Sequence, residues 1–166
     1  MTDAGAARTA TMYFEDFALD QVFLTAGRTI TETDVMTYAY LSGDHTALHT
    51  DAEHAKGTVF GERIAHGPLG AVISGGLLVR LGIFEGSALA ALEHHWVFKG
   101  PIKFGDTIHS RVTIVELRET SDGRRGVLQR KVEIVNQRGE VVQIGHAKML
   151  IAKRPQPDGQ PADVTS

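Results

Sequence analysis

The 166-residue chain contains no cysteine. That absence removes disulfides, thiolate nucleophiles and Cys-ligated zinc, and it suits a reducing compartment such as the cytoplasm. An excess of basic charge is also missing. Seventeen Lys and Arg against 20 Asp and Glu give a net charge of −3 with histidine neutral. Such a balance lacks the strongly basic footprint of a nucleic-acid binder. Long hydrophobic runs are absent too. The longest apolar segment, residues 68 to 83, is broken by glycines, Ser74 and Arg80. It falls short of the roughly 18 residues that read as a membrane span. The opening "MTDAGAARTATMYFEDF" has none of the continuous apolar stretch of a signal peptide. No internal repeat or low-complexity tract is present.

What is there fits a soluble globular protein. Hydrophobic residues make up 42% and charged residues 22%, over a length that gives one domain with a real core. Residues 1–10 read as a flexible arm and residues 11–153 as the domain. Residues 154–166, "RPQPDGQPADVTS", hold three prolines and almost nothing to bury, the signature of a disordered tail.

Between these ends the chain divides into a helical front and a stranded back. "VFLTAGRTI" reads as a strand with Val22, Leu24 and Ala26 on one face. "TETDVMTYAYLSG" starts a helix that Thr31 or Thr33 can cap, with Glu32 and Asp34 at the positive end of the dipole and Gly43 as its stop. "DAEHAKG" gives one or two helical turns. Pro68 then suits the first position of a longer helix, apolar on nearly every side from Leu69 to Ile83 and therefore buried on most faces. The back half alternates. Ile108, Val112 and Ile114 interleave with His109, Arg111 and Thr113, and Leu128, Val132 and Ile134 with Gln129, Lys131 and Glu133. With "ALEHHWVFKG" before them and "EVVQIGHAKMLIAKR" after, joined through Gly139 of "NQRGE", these segments predict an antiparallel sheet wetted on one side. A sheet of four strands, with a fifth from the N-terminal region, wrapped around one long helix is a hot-dog architecture of the α+β class. An ordinary α+β roll is the alternative.

The chemistry concentrates in "SGDHTALHTD", residues 42 to 51. Two readings of this stretch stand side by side, a solvated loop and an acid/base pair made of Asp44 and His49. Adding water to a double bond conjugated with a carbonyl needs a base, an acid and donors for the enolate-like oxygen. Asp44 and His49, five residues apart, can supply the first two. The third matches "HGP" at 66 to 68, where Gly67 precedes the buried helix and its unpaired amides. Taken alone, Gly67 reads better as a helix cap. His45, His49 and His54 with Asp51 can also be read as a metal cluster, although "HTALH" lacks the glutamate of a zinc HExxH site. His94 and His95 are adjacent on a strand and face opposite ways.

"LSGDHTALHTD" followed by "FGERIAHGPLGAVISGGLL" resembles the motif of MaoC-like dehydratases, the hot-dog R-specific enoyl-CoA hydratases. "YFEDFALDQVF...GRTITETDV" and "VFKGPIKFGDTI" extend the resemblance over roughly residues 13 to 152. The resemblance implies Asp44 and His49 as the catalytic pair and the Gly67 N–H as the oxyanion donor. It implies an acyl-CoA substrate of fatty acid metabolism, with coenzyme A as part of that substrate and no separate cofactor or metal. A homodimer or larger homo-oligomer follows from it as well. The chain departs from the family at Thr46-Ala47, where Asn-Pro is usual. The family's helical serine falls by count on Gly75, leaving neighbouring Ser74 as a candidate substrate contact. His66 is expected to hold the loop or to line the substrate groove. Lys99, Lys103 and Arg63 are cations that a coenzyme A phosphate can meet, or else solvated surface charges. Two rival functions share the same fold: a thioesterase, and a non-catalytic acyl-thioester binding subunit.

Overall fold

Alternating side chains build the back half into one sheet. Ile108, Val112 and Ile114 are fully buried on one strand, and Leu128, Val132 and Ile134 on the next, while their polar neighbours face outward. The structure, a computed structural model, describes residues 11–155. The expected arm at 1–10 and the tail from 156 onward lie outside them.

In chain order a 3-10 turn (Phe14–Asp16) precedes β1 (Val22–Leu24), β2 (Arg28–Thr29), α1 (Glu32–Ser42), α2 (Ala47–Thr50), α3 (Ala52–Lys56) and α4 (Gly67–Val79). Then come β3 (Ala88–Phe98), β4 (Thr107–Glu119), β5 (Arg125–Val135) and β6 (Val141–Ala152). The sheet order is β1-β4-β5-β6-β3, with β2 also on β4, and every pairing is antiparallel. Helix α4 lies on the inner face. Its Leu69, Ile73 and Leu77 pack with Ile108, Ile134 and Val142, and Leu78 packs on Val112 and Val132. This is the hot-dog arrangement that the periodicity predicts. Strand β6 carries Gly145 where a Cβ would stand 2.8 Å from the Trp96 ring, so the sheet leaves space for the indole.

Four details differ from the sequence reading. The N-terminal strand is two short strands. Val22 and Leu24 do share a face, but it is the exposed one, because Phe23 between them enters the core. Helix α4 ends at Val79 and not at Ile83. The chain turns at Gly82 with φ of 73°, a conformation that favours glycine, and Ile83 is buried beyond the turn. The helix is also not covered all round, since Val72 and Val79 are 63% and 75% exposed. One sheet layer can cover only one side of a helix. Finally, Arg154, placed in the tail, belongs to the domain. Its guanidinium binds both carboxylate oxygens of Asp16 and lies over the Tyr13 ring.

Candidate active site

The helical front delivers Asp44 to a fixed place. Thr31 caps α1 by accepting from the Asp34 amide, and the Asp34 carboxylate returns to the Thr31 amide. The helix stops at Gly43, whose φ of 76° turns the chain sharply. Asp44 follows at once, its amide donating to Ser42 Oγ. Its carboxylate is about half exposed, at 48%. Oxygen Oδ1 accepts from the Thr46 hydroxyl at 2.6 Å and from the Thr46 amide at 3.1 Å. These bonds, the hydroxyl first, hold the Asp44 carboxyl below the ordinary carboxylate range. Asp44 is therefore an anion at neutral pH and acts as an acceptor only.

His49 sits on α2, five residues on. Its Nδ1 lies 2.7 Å from the Ile64 carbonyl. A carbonyl only accepts, so Nδ1 carries the proton and neutral His49 presents a bare Nε2. His66, 1% exposed, lies against it with ring centroids 3.8 Å apart. Tyr38 covers His66 from another side at 4.9 Å. The His66 Nε2 donates to the Asp44 carbonyl at 2.9 Å and stands 4.0 Å from Asp44 Oδ2. One buried ring thus touches both members of the expected pair.

The next residue, Gly67, is the first of α4. Among the described residues no acceptor takes its amide, which points with the helix's positive end. Its carbonyl is held by Gln143 Nε2 at 2.8 Å. A Cβ at Gly67 would stand 3.1 Å from the Phe98 ring, and one at Gly70 would stand 2.7 Å from the Gln143 amide. Both glycines therefore let neighbouring side chains approach the helix start. Gln143 went unnoticed in the sequence. Its signal is a polar residue heading the inward series Gly145, Ala147, Met149 and Ile151 of β6.

Ring nitrogens of His49 and His66 and a carboxylate oxygen of Asp44 lie within 4.8 Å of one another, a spacing that three ligands of a cation can share. The donor set fits a metal poorly. The His66 nitrogen facing Asp44 bears its proton toward a carbonyl, and imidazole's second nitrogen points away from the first. Two free ligands remain where a zinc centre needs three or four.

Other sequence candidates lie elsewhere. Ser74 is buried, with its hydroxyl 2.8 Å from that of Ser110. It ties α4 to β4. Lys103 pairs with Glu62 at 2.6 Å, and Arg63 pairs with Glu32 at 3.0 Å while stacking on Phe104. Lys99 borders a surface cleft with Lys103 and Arg138. Asp51 caps α3 through the Glu53 and His54 amides, and His45 meets Tyr40 edge-on. The proposed cluster of His45, His49, His54 and Asp51 is not the group that converges.

A family model described as the MaoC like domain matches residues 16–137. Protein MaoC of Klebsiella aerogenes is 40% identical over 101 residues, 61% of this chain and 30% of that protein, so the chain spans less than a third of that relative. The (R)-specific enoyl-CoA hydratase of Rhodospirillum rubrum is 39% identical over 106 residues, 63% of this chain and 71% of the relative. In structure, the chain resembles a MaoC-like dehydratase from Rhodospirillum rubrum with a TM-score of 0.80 and 27% identity, over 87% of this chain and 99% of that one.

If His66 holds the loop, His66→Phe keeps the ring's bulk and removes its donor. The lost hydrogen bond, about 1 kcal/mol, is expected to loosen residues 43 to 49 and leave the sheet unchanged. Amide hydrogen exchange checks this: faster exchange confined to that loop is expected, and an unchanged pattern refutes the role.

Proposed function

The chain belongs to the MaoC-like domain family, and on that premise we propose that it hydrates a 2-enoyl-CoA to a 3-hydroxyacyl-CoA and catalyses the reverse dehydration at the same centre. One observation carries the reading. The Asp44 carboxylate and the His49 ring, both proton acceptors, converge beside a helix start whose first amide no acceptor takes among the described residues.

Acceptors that close can share one water, since each hydrogen bond reaches about 2.8 Å. Both protons of the water are then engaged, and a lone pair of its oxygen is free to attack C3 of the enoyl group. As the C3–O bond forms, the π electrons move through C2 toward the thioester oxygen, which the Gly67 N–H receives. The Asp44–His49 pair takes one proton from the water and returns a proton to C2. The sum is addition of H2O, with no oxidation or reduction. Asp44 and His49 form a coupled unit, so acid and base are roles of the pair. General acid–base catalysis contributes about 10²–10⁴-fold, and an oxyanion donor is worth about 2.7–4 kcal/mol in a well-measured case. The reaction calls for no flavin, nicotinamide or metal, and coenzyme A enters only as part of the substrate. We assign the R product on the likeness to the (R)-specific relative. We place the reaction in the cytoplasm, in keeping with the cysteine-free sequence. No helix among the described residues is long and apolar enough to cross a membrane.

The test is direct. Asp44→Asn and His49→Gln nearly preserve shape and remove proton transfer. Each should lower kcat on crotonyl-CoA by about 10²-fold or more, with circular dichroism unchanged. Near-native turnover by either folded variant rules out the pair.

The working unit in this proposal is a homodimer. Among the described residues strand β3 bonds only to β6, so its other edge is unpaired there. It carries Leu92 and Phe98, both exposed. The uncovered stripe of α4, with Val72 and Val79, adds apolar surface. An open edge of 11 residues invites pairing, and two-fold closure is its commonest form. Because Phe98 also packs on Gly67, a partner at this edge would border the oxyanion donor. Sedimentation should give twice the 18.0 kDa chain mass. A stable, active monomer would contradict the dimer.

A further inference from the structure

We propose that Thr46 is a positioning residue of this reaction, fixing which Asp44 oxygen handles protons and how far it stands from His49. The inference rests on the hydratase reading above and extends it to a position where the chain departs from the family's Asn-Pro.

Thr46 touches both members of the pair. Its hydroxyl and its amide both donate to Asp44 Oδ1, at 2.6 and 3.1 Å. Its carbonyl accepts the His49 amide at 2.9 Å. A single residue thus sets the carboxylate on one side and the start of the histidine's helix on the other. Thr46 precedes α2 as its N-cap, yet its hydroxyl makes no capping bond to that helix. The hydroxyl is committed to the carboxylate instead.

The consequence is an asymmetric carboxylate. Oδ1 already has two donors, one of them at 2.6 Å, and is saturated for further chemistry. Oδ2 is the oxygen facing the buried ring, 4.0 Å from His66 Nε2. That oxygen is left to take the water's proton. Charged or titratable groups reach Asp44 from two elements, His66 at the start of α4 and His49 on α2. A carboxylate held by two donors rotates less and stays ionised to lower pH. Removing the hydroxyl therefore has a defined sign: the ionised form loses a bond, and Asp44 protonates at higher pH.

Two variants test this in the full chain. Thr46→Val keeps the branched shape, the amide and the carbonyl, and removes only the hydroxyl. Thr46→Ser restores the hydroxyl. For Val we expect kcat on crotonyl-CoA to fall roughly tenfold or more, the loss of one bond to a charged group, with KM nearly unchanged. The acid limb of the rate profile should move to higher pH, and Ser should recover both. A carbon-13 titration of the Asp44 carboxyl reads the same shift without turnover. If the wild-type chain fails to hydrate crotonyl-CoA, the hydratase reading falls while this titration still tests the Thr46 contact. An Asp44 titration that is the same in Val and wild type overturns the proposal. So does a Ser variant as impaired as Val.

Discussion

The hydrogen bond from the His66 ring to the Asp44 carbonyl ties the start of α4 to the loop that carries the acid. One end belongs to the start of α4, which the whole sheet holds in place. The other belongs to a loop with little to bury. His66 is 1% exposed and lies against His49, so the ring is fixed by the core while its Nε2 fixes the loop. Gly67 follows His66 directly, and the carboxylate, the imidazole and the free amide are therefore all referred to one buried side chain. The cost is visible as well: His66 Nδ1 is buried and has no partner among the described residues. A buried polar atom left unpaired is destabilising, and it persists here at the point where the site's geometry is set.

Polarity within the site comes from short-range bonds more than from burial. Asp44 remains half exposed, and the Thr46 donors hold it ionised. His49 is set by a backbone carbonyl, that of Ile64, which fixes the protonated nitrogen. Gln143 fixes the carbonyl of Gly67, and no acceptor takes that residue's amide among the described residues. A water-handling pair needs access to solvent and a constant geometry together. In Asp44 and His49 alike one atom of the side chain is tied down, Oδ1 by Thr46 and Nδ1 by the Ile64 carbonyl.

Much of this was legible in the residues themselves. The spacing of Asp44, His49 and Gly67 marked the candidate site, and period-2 alternation marked β4 and β5. Three things were hidden for physical reasons. Backbone acceptors such as the Ile64 carbonyl have no residue-type signature. Thr46 was visible only as a departure from the family pattern, because a hydroxyl's partner depends on loop geometry. Similarly, the apolar residues of β1 mark a strand without saying which face is buried, and Phe23 took the inner face.

The same geometry has to choose between attack on C3 and attack on the thioester carbonyl. The central claim is that Asp44 and His49 aim water at C3. Incubating the protein with crotonyl-CoA in isotopically labelled water and locating the label by mass spectrometry tests it most directly. The account predicts label in the C3 hydroxyl of an intact 3-hydroxybutyryl-CoA, without release of free thiol. Label in a free carboxylate, with coenzyme A released in equal amount, would contradict it and make the protein a thioesterase.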